Sequence, residues 1–352
     1  MADITLEDIL AARERIAGRV RRTPLLGSEL LSAQHDAQLY FKCENLQEVG
    51  AFKARGATNA VFALSEAELR GGVVAHSSGN HGAAVARAAR LRGVGARIVM
   101  PEDTSAAKLD MVRAYGAQIL LCAPTLAARE ALAARTVAET GAAFIHPYDD
   151  PRVIAGQGTV GLELLEDLPQ LDCILCPVGG GGLSSGVALA VKALQPRVRV
   201  IAVEPAAVDD AYRGFHAARA QPPAPAPVST PASAPQAAPQ QAAPVTLADG
   251  LRATLSERTL GLIRHHVDDV VTVSEEGIVA AMRALWKHVR TLVEPSSAVP
   301  YAALLERRLD LAGQRVAIIL TGGNVDLDRL PWSRPALSAP GSAPGHPRAR
   351  SR

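Results

Sequence analysis

The 352-residue sequence carries almost no excess charge: 37 basic residues stand against 35 acidic ones, a net of +2. That balance gives nucleic acid or an anionic membrane no broad surface to select. Long apolar runs are missing as well. Stretches such as Val94–Met100 are interrupted and fall far short of the roughly 20 residues needed to span a bilayer. The opening Met1-Ala-Asp-Ile4 lacks the basic and apolar regions of a secretion signal. Cysteine is scarce, and Cys43, Cys122, Cys173 and Cys176 have none of the spacing of a secreted disulfide framework. These absences point to a cytoplasmic protein with no nucleic-acid or membrane partner. Cys173-x-x-Cys176 has a spacing found in zinc and redox sites. No second Cys/His pair completes a zinc set, and Asp172–Pro177 reads as a buried strand, in which positions three apart face opposite sides.

What is present suits two lobes in one catalytic unit. Hydrophobic residues make up 48% and charged residues 20%, and the chain is too long for one small core. Thr5-Leu-Glu-Asp8 resembles a capping box that opens a helix running to about Ala17. Beyond it, β-rich runs alternate with helical ones. Strands are expected at Gln38–Lys42, Gly72–His76, Ala96–Met100, Gln118–Leu121, Ala143–His146, Cys173–Pro177, Val198–Glu204, Val270–Val273 and Val316–Leu320. Helices are expected at Lys53–Leu64, His81–Arg92, Thr104–Tyr115, Thr125–Glu139, Val153–Asp167, Leu183–Leu194, Glu275–Val289 and Ser296–Leu309. This alternation indicates α/β architecture with mainly parallel sheets. Two segments fall outside it. Residues 220–244 are almost wholly Ala, Pro, Gln and Ser, and 331–352 form a Pro/Ser/Arg tail; both are expected to be disordered.

Five short segments can carry chemistry. Gly50-Ala-Phe-Lys-Ala-Arg-Gly56 places a lysine at a helix start, where the helix dipole and Arg55 disfavour a charged ammonium. Lys53 is thus either a reactive amine or a surface lysine on an amphipathic helix. Ser77-Ser-Gly-Asn-His-Gly82 joins a strand to a helix and offers hydroxyls and backbone N–H groups to a carboxylate, or is a capped turn. Four glycines in Pro177-Val-Gly-Gly-Gly-Gly-Leu183 are entropically costly and make sense if the backbone wraps a phosphate. The run lacks the Lys-Ser/Thr of a P-loop, which argues for a phosphate monoester rather than a nucleotide. Leu320-Thr-Gly-Gly-Asn324 puts a hydroxyl at a strand end beside two small residues. In Glu204-Pro-Ala-Ala-Val-Asp-Asp210, two carboxylates and a carbonyl can ligate Mg²⁺ or Ca²⁺, or form a metal-free acidic loop.

Taken in this order, the segments closely resemble the serine/threonine dehydratase and serine racemase family of fold-type II pyridoxal-phosphate enzymes. The resemblance runs from about Leu6 to Leu330. It also includes Thr23-Pro-Leu, Phe41-Lys-Cys-Glu-Asn45, Ala155-Gly-Gln-Gly-Thr159, Ala248-Asp-Gly250 and Val293-Glu-Pro295. It implies a tryptophan synthase β-like fold of two open twisted α/β lobes with the cofactor between them. Residues 1–70 and 148–330 would form the large domain and 71–147 the small one. Lys53 would bind pyridoxal phosphate (PLP) covalently and act as base at Cα. Phe52 would pack on the ring, Asn80 would bond the ring hydroxyl, and Thr321 would meet the ring nitrogen. Gly179, Gly180, Gly181, Gly182 and Leu183 would cradle the phosphate. Ser77, Ser78 and His81 would grip the substrate carboxylate, and Ser78 would be the acid/base on the opposite face. Glu204, the Val208 carbonyl and Asp210 would hold Mg²⁺, Ca²⁺ or Mn²⁺.

The implied activity is β-elimination from L-serine or L-threonine to a 2-oxo acid and ammonia, by a homodimer. Serine racemase and 3-hydroxyaspartate dehydratase are the alternatives within the enzyme class. A non-catalytic PLP- or metabolite-binding protein is the alternative outside it. Where some racemases carry a substrate-contacting serine, this chain has Ala253. The regulatory domain of biosynthetic threonine dehydratases has no counterpart in it.

Overall fold

The computed structural model describes residues 4–77, 79–220 and 246–333. Its strands are β1 Leu25–Gly27, β2 Gln38–Cys43, β3 Val73–His76, β4 Ala96–Pro101, β5 Gln118–Cys122, β6 Ala143–Phe144, β7 Cys173–Pro177, β8 Arg199–Pro205, β9 Asp269–Val273 and β10 Arg315–Leu320. The α-helices are α1 Leu6–Ile16, α2 Glu29–Gln34, α3 Lys53–Ala63, α4 Asn80–Arg92, α5 Ala106–Ala114, α6 Leu126–Thr140, α7 Pro151–Asp167, α8 Gly182–Leu194, α9 Asp210–Ala220, α10 Glu257–His266, α11 Glu275–His288 and α12 Pro295–Leu305.

The strands make two sheets. One has the order β1-β2-β10-β7-β8-β9, the other β5-β4-β3-β6. Every pairing is parallel except the edge pair β1–β2. Parallel strands need crossovers, and the helices between them cover both faces of each sheet. β7 shows this in its composition. All five residues are buried, and Cys173 and Cys176 fall in the hydrophobic clusters on opposite faces of the sheet. Both are free thiols, and burial pushes Cys173 up to about 12. A zinc or redox role for the pair is therefore out.

The predicted capping box forms: Thr5 N donates to Asp8 Oδ2 at 2.9 Å and Asp8 N to Thr5 Oγ1 at 3.4 Å. Hydrophobic periodicity does not reveal four elements. β1 and α2, with three and six residues, are too short for a periodic pattern to stand out. α9 abuts the Pro-rich segment. α10 is capped by Ser256 with Thr259 in the place of the usual Glu or Gln. The strand expected at Ala143–His146 stops at Phe144. There His146 Nδ1 accepts from Tyr148 N and Asp149 N at 3.3 and 2.8 Å and turns the chain. The helix expected to reach Leu309 stops at Leu305, and Arg307 takes a left-handed φ of 54°. The Pro/Ala-rich segment beyond Ala220 and the tail beyond Ser333 lie outside the described residues.

Helix α3 links the sheets. Ala54, Ala57, Ala60 and Val61 share a core with β3, β4 and α4. Its other side meets α7 at a glycine contact, where a Cβ on Gly156 would lie 2.7 Å from Gly56 Cα and 2.8 Å from the Arg55 carbonyl oxygen. The small residues let two backbones approach closely and hold the start of α3 in place.

Candidate active site

In open α/β sheets, loops at the carboxyl ends of strands converge where the strand order reverses. Here the segments after β2, β7 and β10, three adjacent strands, are those of Lys53, the tetraglycine run and Thr321. After β2 the chain makes two 3₁₀ turns, with Val49 at φ 56° and Gly50 at φ 67°. A β-branched residue rarely adopts that conformation. Asn324 Nδ2 donates to the Val49 carbonyl at 2.8 Å and braces it. An Ala51–Gly322 bridge and a bond from Phe52 N to the Thr321 carbonyl at 3.0 Å then tie the start of α3 to the end of β10.

Lys53 Nζ donates to the Pro147 carbonyl at 2.8 Å. Burial lowers its pKa from 10.5 to about 8. The expectation that Arg55 adds positive potential here is corrected. The Arg55 guanidinium is fully buried and turned away into carboxylates, bonding Glu44 at 2.7 and 2.8 Å and Glu163 at 2.7 and 2.9 Å.

Tyr148, next to Pro147, connects Lys53 to the glycine loop. A Cβ on Gly180 would lie 2.4 Å from the Tyr148 ring, and one on Gly182 3.0 Å from its Cβ. A Cβ on Gly179 would lie 2.8 Å from Leu251 Cα, and Gly181 has φ 84°. Side chains are thus excluded along the run. The N–H groups of Gly180, Gly181, Gly182 and Leu183 find no acceptor among the described residues. A helix start with bare amides is an anion site.

Asn80 is committed at both ends of its amide. Nδ2 donates to Glu294 Oε1 at 3.0 Å, and Oδ1 accepts from Asn324 Nδ2 at 2.8 Å. One Asn80 N–H remains for a ligand. Glu294 is buried against Gly322, and burial, aided by Asp249, raises its pKa to about 8. Thr321 Oγ1 lies 3.1 Å from Ser297 Oγ, which accepts from Gly322 N and donates to its carbonyl, both at 2.6 Å. Ser77 Oγ accepts from Gly79 N at 3.1 Å. Ser78 lies outside the described residues. His81 is buried, and its Nε2 meets the Ile145 carbonyl at 3.0 Å. Its Nδ1 is buried with no partner among the described residues. Burial, then Lys53, holds His81 well below its usual pKa, so the ring is neutral.

These features fit PLP. They supply a buried amine, bare amides for a phosphate, one free Asn80 N–H and a hydroxyl at a strand end. Motif reading assigned no role to Pro147, Tyr148, Glu294 or Ser297. Glu294 and Ser297 lie in or beside Val293-Glu-Pro295, so their signal was visible although their function was not.

Away from this cluster, Glu204 is 1% exposed. Its carboxylate accepts from Ala211 N at 3.3 Å and Tyr212 N at 2.5 Å. Asp210 Oδ2 accepts from Leu255 N at 2.8 Å. Burial raises both carboxylates, Glu204 to about 8. No group of three or more Cys, His, Asp or Glu side chains suited to a metal occurs among the described residues. No helix of the described residues is long and apolar enough to cross a membrane.

Comparison with known proteins agrees with this geometry. The family model described as pyridoxal-phosphate dependent enzyme matches residues 16–322. The chain is 49% identical over 329 residues to a beta-hydroxyaspartate dehydratase of Paracoccus denitrificans, covering 94% of this chain and 99% of that one. Maize serine racemase superposes with a TM-score of 0.84 at 41% identity, over 93% and 95% of the two chains. The serine racemase of Dictyostelium discoideum superposes with a TM-score of 0.82 at 41% identity, over 93% and 100%. The chain therefore belongs to the pyridoxal-phosphate dependent enzyme family, among its ammonia-lyases and racemases.

Proposed function

We propose that this enzyme removes water and ammonia from a β-hydroxy amino acid, with 3-hydroxyaspartate ahead of L-serine and L-threonine as substrate. The observation that carries the lyase reading is Lys53, a buried amine held by a carbonyl and not by a carboxylate. A neutral amine is the form that can bond to a cofactor and later accept a proton. The substrate order reverses the one expected from the motifs. It is supported by the identity to the Paracoccus dehydratase over nearly the full length of both chains.

PLP, when bound, draws in the electron pair left at Cα. The other tasks fall to the chain. Lys53 would anchor the cofactor, and its Nζ would take the Cα proton as base. The amides of the glycine run and Leu183 hold the phosphate, and Phe52 covers the ring. Asn80, oriented by Glu294 and Asn324, bonds the ring hydroxyl. The Thr321 hydroxyl, held by Ser297, meets the ring nitrogen as a neutral partner. A neutral partner favours elimination over transamination. Ser77, Ser78 and the His81 segment hold the α-carboxylate, and Ser78 carries the proton on the opposite face. Closure of the 71–147 domain excludes water, and the working unit is a homodimer.

The test is a comparison of the holoenzyme on 3-hydroxyaspartate stereoisomers, L-serine, D-serine and L-threonine, with 2-oxo acid and ammonia measured. A 3-hydroxyaspartate isomer should give the highest kcat/KM. Serine racemisation that outruns 2-oxo acid formation from every substrate would overturn the reading.

We also infer a divalent cation, Mg²⁺ before Ca²⁺ or Mn²⁺, at Glu204, the Val208 carbonyl and Asp210. Two neighbouring carboxylates whose pKa burial raises support it, because a cation would offset the cost of their charge. EDTA should lower the melting temperature and Mg²⁺ restore it. An unchanged melting temperature under both treatments would remove the site.

A further inference from the structure

Lys108 lies on α5, among the elements of the four-stranded sheet, and its ammonium pairs with Asp249 of the Asp249–Leu251 turn. Its stem runs along Gly79, where an added Cβ would lie 3.8 Å from Lys108 Cδ and Cε and 3.9 Å from Nζ. Gly79 belongs to the loop that begins at Ser77. The Asp249 turn borders the rest of the site. Gly250 N donates to Ser296 Oγ at 3.1 Å, and Leu251 backs Gly179. The buried Glu294, partner of Asn80, feels both charges: Asp249 raises its pKa and Lys108 lowers it. The ion pair thus joins the proposed α-carboxylate loop to the turn beside the phosphate loop.

Three other cations have partners of their own. Lys53 bonds the Pro147 carbonyl, Arg252 the Thr246 carbonyl at 2.7 Å, and Arg258 pairs with Asp149. The side chains of Lys108 and Asp249 are 30% and 44% exposed. A half-exposed pair is weakly held, so Lys108 can exchange one carboxylate for another at little cost.

We propose that Lys108 determines specificity by binding the second carboxylate of a dicarboxylic β-hydroxy amino acid, which replaces Asp249. This rests on the lyase reading above and names the residue behind its substrate order. Serine and threonine have no group that can make the exchange. Succinate, which spaces its carboxylates as 3-hydroxyaspartate does, is a non-reacting probe, and propionate is its single-carboxylate control.

Lys108→Met keeps the stem on Gly79 and removes the charge. In the holoenzyme it should lower the ratio of kcat/KM for 3-hydroxyaspartate to that for L-serine by about tenfold or more, mainly through KM. It should also abolish the excess of succinate over propionate in raising the melting temperature. Asp249→Asn removes the competitor and should tighten succinate binding. Equal losses on both substrates with the succinate effect intact would reduce the pair to a structural tie and overturn the proposal. If the wild-type enzyme failed to act on 3-hydroxyaspartate, the substrate order would fall; the succinate comparison would still judge Lys108.

Discussion

Lys53→Ala is expected to abolish 2-oxo acid formation and to leave the purified protein without the yellow absorbance of covalently held PLP. Loss of a general base alone costs about 10²–10⁴ in rate, and here the anchor is lost with it, so the effect should exceed that range. The pH dependence of the wild-type protein gives a second check. Burial lowers the Lys53 pKa from 10.5 to about 8. The rate at which cofactor-free protein captures PLP should therefore rise with pH and level off above about 8. An unperturbed lysine would keep gaining to about 10.4. Because the folded-state pKa is depressed, the folded protein binds fewer protons than the unfolded chain between these values. Lys53 thus opposes folding in full below about 8, and the penalty fades as pH rises through that window. Substantial elimination by Lys53→Ala without an added amine would mean that another residue is the base.

The second large effect is expected at Arg55, two residues further along α3. Its guanidinium bonds Glu44, Glu163 and, at 3.2 Å, Thr159. Thr23 Oγ1 donates to Glu44 at 2.6 Å, and the buried Lys42 ammonium lies 2.7 Å from Glu163. Removing one member of such a buried network leaves uncompensated charge and costs about 3–5 kcal/mol. Arg55→Met should lose about that much in denaturant unfolding of the cofactor-free protein. It should also weaken PLP retention, because α3 loses its tie to α7 and to the turn after β2. Adding Glu44→Gln should recover part of the loss. The deficit should shrink in acid. The stranded carboxylates would have raised pKa values in the folded state, so they penalise folding at neutral pH and cease to as they protonate. A variant as stable as wild type at pH 7 would show that the network contributes little.

Much of this protein could be read along the chain because the responsible forces are local. Strand–helix alternation, the Thr5 capping box and the tetraglycine run are written in neighbouring residues. β7 matched its expected span because a strand buried on both faces is a continuous apolar run. The motifs in their order carried the family resemblance, and the cofactor was what that resemblance implied. Elements too short to repeat their pattern, β1 and α2, left no such trace.

What the sequence could not supply was partnership between distant segments. Its motifs suggested that Arg55 would lower the Lys53 pKa, but the fold spends that charge on Glu44 and Glu163 and lowers the pKa by burial. It placed Asn80 near a ligand, but not between Glu294 and Asn324, which are more than 200 positions away. It gave Pro147, Ser297 and Lys108 no role, because each acts through a group from another strand or sheet. Residue type and short spacing pointed to α/β architecture and a phosphate-binding loop, and the family resemblance implied the cofactor. Burial, counter-ions and hydrogen-bond partners are properties of chain segments brought together by packing, and only the tertiary structure decided those.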